Sequence, residues 1–374
     1  MPLKRSLYLD QIKAVIVALV IALHVPLAFG DMGWIGAHIP VEGTGPAFGG
    51  FFRWYIYAIN TFVMPMMFLI SGYFVPRSVH KKGVARYLTD RLVRLGIPFL
   101  AGVFLINNGS ILLSKLSPNS PYLDMPWSSL PVNTVIAMWF LVVLFAFDLL
   151  YCGWVALRGD QYAIDTTVPT PMMRSWLISA VVLGLIEVAM TMQTEIWATL
   201  GKSFMNGLGA QGMHLFTYAF LFFLGCKASF HHWFERLDRR LVMQWIRLSI
   251  FLLLSFFSLV LTLSFNASLI EQPARLILLG KFLDPFIAWG VISYLILWFQ
   301  SNEDRLGPWL ATAGINSYGA YILHSLVLVA VLLAVSFISI NPWLVAITAT
   351  ALSIIISFGI AGQLRRIPAV ARVL

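Results

Sequence analysis

Two residue pairs at helical spacing carry most of the chemistry this sequence could perform. Lys13 and His24 stand eleven residues apart, about three turns and roughly 16 Å of rise on a helix, so both side chains leave one face. Arg91 and Arg94 are three apart and share a face in the same way. A cation at one end of such a face can hold an anion. A neutral imidazole farther along can take a proton from a hydroxyl near pH 7. This geometry suits a ligand with an anionic head and a reactive tail. Asp148, Glu187 and His324 also interrupt apolar runs. Glu187, if it faces His24, could orient the ring and stabilise imidazolium.

The elements that would position these groups follow from composition. The chain has 374 residues, of which 59% are apolar, 14% aromatic and only 11% charged. Soluble chains carry about 25% charged residues, so this one has too little polar surface to cover a water-soluble globule. A span needs about 20 mostly apolar residues. Ten candidates lie near 11–30, 57–75, 95–113, 135–157, 175–193, 213–230, 243–264, 278–299, 314–337 and 342–362. Pro65 is expected to interrupt the second and Pro98 the third, while Lys281, Asp284 and Pro285 make the eighth the weakest. The expected fold is all-α, a polytopic membrane helix bundle of about ten spans, with residues 1–374 forming one integral-membrane unit and no separate soluble domain.

Orientation follows from the basic residues. With a cytoplasmic N-terminus, twenty of the 25 Lys and Arg residues fall inside and five (Arg53, Lys115, Lys202, Arg275 and Lys281) outside, which favours N-in, C-in. The same asymmetry accounts for most of the formal +9 charge without nucleic acid. The first apolar run has no small-residue cleavage site after it and reads as a retained span. Cys152 and Cys226 fall at cytoplasmic span ends, where a reducing environment disfavours pairing.

Each polar residue also has a plainer reading. His24 alone could bond a neighbouring helix's backbone, Lys13 could snorkel, and Arg91 and Arg94 could be topogenic. Ser71 fits a small-residue helix contact. The run Gly207–Gly212 precedes a helix but follows no strand, so a nucleotide fingerprint is discounted there. A proton-coupled transporter could use Asp148, Glu187, His24 and His324 as a relay, although no inverted repeat is visible. A scaffold would gain nothing from inserting such groups at about 2.5–3.5 kcal/mol each.

Several segments taken together resemble the membrane-bound acyltransferase 3 family. Leu9-Asp10-Gln11-Ile12-Lys13, ten residues and His24 are similar to its first-helix motif, in which arginine is common where Lys13 stands. Phe68-Leu69-Ile70-Ser71-Gly72-Tyr73-Phe74 resembles its serine-glycine-aromatic signature. Arg91-Leu92-Val93-Arg94 before Leu95-Gly96-Ile97-Pro98 is similar to its arginine pair. Trp139-Phe140-Leu141 and Ser317-Tyr318-Gly319-Ala320-Tyr321-Ile322-Leu323-His324 extend the likeness over residues 7 to 324.

The layout looks closest to the glucan-biosynthesis C-type succinyltransferases. The resemblance implies transfer of an acetyl or succinyl group from cytoplasmic acyl-CoA to a carbohydrate hydroxyl at the outer face. It implies His24 as the catalytic residue, with Glu187 beside it. Lys13, Arg91 and Arg94 would hold the donor, with Ser71, Tyr321 and His324 completing the substrate site. Acetyl-CoA or succinyl-CoA would be a substrate rather than a resident cofactor; no metal is expected, and the partners would be the lipid bilayer and a glycan. Trp34, His38, Glu42, Trp54, Tyr55 and Trp127 are the candidates for stacking or bonding the acceptor.

Overall fold

The computed structural model describes residues 7–29, 39, 41, 43–118, 120–160, 162–193, 214–265, 273–336 and 341–374. Its regular elements there are all helical. In chain order the longer ones are α1 (Leu7–Phe29), α2 (Pro46–Asn60), α3 (Val63–Lys82), α4 (Val84–Ser114), α5 (Trp139–Arg158), α6 (Met173–Thr191), α7 (Leu215–His231), α8 (Arg239–Phe265), α9 (Pro273–Ser336) and α10 (Pro342–Leu364). Eight helices among the described residues are long and apolar enough to cross a membrane, and α7 is a shorter apolar helix. The fold is a polytopic helical membrane bundle.

The spans expected at 278–299 and 314–337 are the two arms of α9, two helices joined across a kink. A straight helix of 62 residues would run about 93 Å, three times the hydrocarbon thickness. Gly307 breaks it, at φ 70° and ψ 173°, a backbone state that L side chains avoid. Pro308 follows and cannot continue the hydrogen-bond ladder. Gln11 of α1 seals the bend: its Nε2 donates to the Glu303 and Gly307 carbonyls at 2.9 and 3.2 Å. Thus α9 has two arms, and α1 is pinned at their junction.

Both prolines sit at interruptions of their spans. Pro65 falls in the first turn of α3, just after the Thr61–Phe62 break from α2, where no intrahelical donor is needed, and Pro76 is the proline in the helix interior. Pro98 lies within α4 as expected, with π-helical turns over Leu92–Gly96 and Gly102–Asn107 on either side. A proline has no N–H for the carbonyl four residues back, here that of Arg94. Tyr318 on the second arm of α9 donates its hydroxyl to that carbonyl at 2.6 Å. The third span also begins at Val84, earlier than expected, so both Arg91 and Arg94 are helical.

The centre is apolar and aromatic. Phe68 is fully buried, with ring centroids of Phe140 and Tyr218 at 4.8 Å and Phe147 at 5.4 Å. Close helix approach depends on missing side chains. A Cβ on Gly72 would run into the Phe222 carbonyl, and one on Gly225 into the Leu69 carbonyl, so α3 and α7 touch along their backbones. Likewise α1 packs chiefly on α9, where a Cβ on Gly314 would meet the backbone of Asp10. Gly314→Val is therefore expected to push α1 off α9 at a cost of about 1–3 kcal/mol, seen as a lower thermal midpoint in detergent. An unchanged midpoint would show that the contact can yield.

Candidate active site

One polar cavity of about 390 Å³ lies among α1, α3, α4, α5 and the second arm of α9. Five basic side chains line it (Lys13, Lys82, Arg91, Arg94 and Arg365) against two acidic ones, Asp10 and Asp90. Ser71, Ser78, Tyr87, Ser317, Tyr318 and Tyr321 complete its polar lining. Of the residues singled out in sequence, Lys13, Ser71, Arg91, Arg94 and Tyr321 therefore meet at one place.

The two arginines differ. Arg91 Nε is 2.9 Å from Asp148 Oδ2, and Asp148 is fully buried. The Tyr87 hydroxyl donates to Asp148 Oδ1 at 2.7 Å and accepts from Arg91 Nε at 2.8 Å. Arg91 is thereby fixed by its own helix and by α5. Arg94 is exposed and makes no ion pair among the described residues. It sits in the first π-helical turn, and such turns often mark functional sites because they re-aim a side chain. Lys13 pairs with Asp10 at 3.2 Å and lies 4.7 Å from the centre of the Phe74 ring. Arg365 donates to the Ile315 carbonyl.

Beyond this cavity α1 and α9 bring two imidazoles together. The ring centroids of His24 and His324 are 4.8 Å apart and tilted by 60°. Each Nδ1 meets a backbone carbonyl of its own helix, Val20 O at 2.7 Å for His24 and Tyr321 O at 2.5 Å for His324. A carbonyl can only accept, so Nδ1 carries the hydrogen in both rings and the lone pair of the neutral form lies on Nε2. His324 is fully buried, and its Nε2 has no hydrogen-bond partner among the described residues; His24 is half-buried.

Neither histidine lines the cavity. Val17, the deepest α1 residue that does, precedes His24 by two turns, about 10 Å of rise. Tyr321 bridges the two regions. It lines the cavity, its ring lies 5.7 Å from that of His324, and its hydroxyl donates to the Ala137 carbonyl. The cavity and the imidazole pair thus lie in sequence along the same two helices.

Glu187 belongs elsewhere, which corrects its expected place beside His24. His214 Nδ1 is 2.8 Å from Oε2, and the Thr217 hydroxyl donates to Oε1 at 2.5 Å. Lys281 then donates to His214 Nε2 at 3.1 Å and to Asp284 Oδ2 at 3.0 Å. Glu187, His214 and Asp284 offer ligand atoms within 4.8 Å of one another, but the Lys281 ammonium already supplies the positive charge among them. The cluster ties α6, α7 and α9 together.

Removing a carboxylate that accepts two buried hydrogen bonds leaves both donors unsatisfied, at about 1–3 kcal/mol each. Glu187→Ala should therefore lower stability by that sum while leaving the donor KM of the folded fraction unchanged. A changed KM at native stability would put Glu187 back into the reaction. Asp148, Glu187 and the two histidines fall into three separate groups instead of the single relay a proton-coupled transporter would use.

His214, Lys281, Asp284, Tyr87 and Tyr318 were not singled out as site or network partners in sequence, and Lys82 and Arg365 were read only as topogenic. The spacing of Lys281 and Asp284, one helical turn apart, was the available signal for an internal ion pair. For Tyr87 and Arg91 it was the four-residue interval. Among the acceptor candidates, Trp54 packs on Phe257 at 4.9 Å and Tyr55 stacks on Phe51 at 6.4 Å. Trp127 is 67% exposed, and Trp34, His38, Glu42 and the Gly207–Gly212 run lie outside the described residues. Both cysteines are buried and free.

Curated relatives are distant. The chain is 27% identical over 153 residues to glucans biosynthesis protein C of Salmonella schwarzengrund, covering 38% of this chain and 37% of that protein. It is 25% identical over 198 residues to glucans biosynthesis protein C of Salmonella heidelberg, covering 50% and 48% respectively. The aligned region thus spans half or less of these relatives' length. No solved structure matches. The acyltransferase domain of the acyltransferase 3 family, however, matches residues 6–362. The chain belongs to that family.

Proposed function

We propose that this protein is an O-acyltransferase of a bacterial inner membrane, moving an acetyl or succinyl group from cytoplasmic acyl-CoA to a carbohydrate hydroxyl on the opposite side. The observation that carries this reading is the alignment along α1 and α9 of a basic cavity with an imidazole pair beyond it. The N-in, C-in orientation drawn from the basic residues puts the cavity on the cytoplasmic side. There, Lys13, Arg94 and Arg365 can meet the phosphates of coenzyme A. Lysine at position 13 keeps the charge but lacks the bidentate fork of arginine. The thioester arm then runs past Ser71 and Tyr321 toward His24.

His24 Nε2 takes the proton of the acceptor hydroxyl as its oxygen attacks the thioester carbonyl. The tetrahedral adduct collapses with cleavage of the carbon–sulfur bond. The thiolate leaves, and the imidazolium returns the proton to it, so the products are the sugar ester and free coenzyme A. His324 sits where it can stabilise the cation on its neighbour. Two imidazolium charges so close would repel, so the pair works with one added proton.

Carbohydrate as the acceptor rests on the glucan-biosynthesis relatives and on the outward aromatic residues, such as Trp127. Mass spectrometry of the extracytoplasmic glycans with and without the protein tests the reading. A glycan mass increment of an acetyl or succinyl group, present only with the protein, is the expected result. Identical glycans under conditions of verified expression would contradict it.

A further inference from the structure

A second and larger cavity, about 680 Å³, lies outside the reaction path, and we propose that it is a specific site for an anionic phospholipid, with Lys227 holding the phosphate and an acyl chain filling the apolar interior. It runs between α6, α7 and the first arm of α9, and shares no residue with the basic cavity. The two lie on opposite sides of α3: Leu69 lines this one, Ile70 and Ser71 the other.

Its shape and polarity match an amphiphile. At one end stands Lys227, exposed and 5.4 Å from the centre of the Trp233 ring, with no acidic partner among the described residues. Two turns away on α7, about 10 Å deeper, is Phe220, whose ring is 5.6 Å from Trp289. Polar groups in the deep part are already satisfied. Trp289 Nε1 donates to Ser179 Oγ at 3.1 Å, and Ser293 Oγ donates to the Trp289 carbonyl at 2.8 Å. The interior therefore offers apolar surface rather than free hydrogen-bonding groups. Met172, Phe220 and Phe223 line the cavity and are themselves exposed, so it opens sideways, where a lipid chain can enter. Its volume falls within the range of ligand sites, and basic pockets between transmembrane helices select anionic headgroups.

The test is native mass spectrometry of the full chain after delipidation and addition of phosphatidylglycerol or phosphatidylcholine. One retained phosphatidylglycerol, preferred over phosphatidylcholine, is expected. Lys227→Gln should reduce its occupancy about fivefold. Arg77→Gln, which removes a charge that lines neither cavity, should leave it unchanged. Ser293→Trp should fill the deep end and remove the retained lipid, at a thermal midpoint that shows the protein folded. Equal loss in Lys227→Gln and Arg77→Gln would mean only a charged annulus, and equal retention of both lipids would mean no headgroup selection; either would overturn the proposal. Because the readout is bound lipid, the outcome is independent of acyl transfer.

Discussion

Replacing His24 with alanine is expected to lower acyl transfer by about two to four orders of magnitude, the usual contribution of a positioned general base, while insertion and thermal stability stay near wild type. Stability should hold because the ring is half-buried and its hydrogen bond to the Val20 carbonyl lies within its own helix. His24→Gln should be equally inactive, since an amide can hydrogen-bond but not shuttle a proton. His324→Ala should be milder in kcat and should leave the donor KM unchanged, because its ring touches His24 but does not line the cavity. Transfer measured in detergent with excess thioester would check all three. A fully active His24→Ala would remove the proposed chemistry.

The second large effect separates the two arginines. Arg91→Ala leaves Asp148 buried with its charge unanswered, and a loss of about 3–5 kcal/mol is expected, read as a marked fall in the thermal midpoint. Changing Arg91 to Met together with Asp148 to Leu should restore most of that loss, because two apolar side chains carry no desolvation penalty. Arg94→Ala should show the opposite pattern, with native stability and a raised requirement for acyl-CoA. Its guanidinium is exposed, lines the cavity and makes no ion pair among the described residues. An unchanged donor requirement in Arg94→Ala would reduce this residue to a topological marker.

The contrast shows what could be read from the chain and what could not. Apolar runs of span length and the uneven distribution of Lys and Arg are one-dimensional signals, so the helical bundle was legible, down to the residues that gather around the basic cavity. Lys13, Ser71, Arg91, Arg94 and Tyr321 were all named in sequence, and they share one cavity. Three-dimensional partnerships were not legible. Nothing in the spacing distinguishes Arg91, locked to Asp148, from Arg94, one turn on and open to the cavity. Glu187 looked like a partner for His24 because both lie deep in apolar runs, yet helix packing gave it His214 and Thr217. The extension of the first arm of α9 up to the Gly307 kink was hidden for a different reason. The polar run Ser301-Asn302-Glu303-Asp304-Arg305 reads as a loop by hydropathy but is helical.

Two glycines carry information that only the packed structure reveals. Gly72, part of the serine-glycine-aromatic stretch, lets α3 meet the backbone of α7, and Gly314 lets α9 meet that of α1. The second contact sets the pairing of α1 with the second arm of α9, and with it the meeting of His24 and His324. A position far from the imidazoles thus governs their geometry, through backbone approach rather than through a bond.

The most direct measurement uses proteoliposomes, with labelled acetyl-CoA or succinyl-CoA supplied on the side of the basic cavity and a glucan on the other. With His24 intact, label is expected as an ester on the glucan; with His24→Ala, the glucan should stay unlabelled while the thioester remains uncleaved. Equal labelling by both proteins, or passage of the glucan across the bilayer with no label attached, would contradict the account.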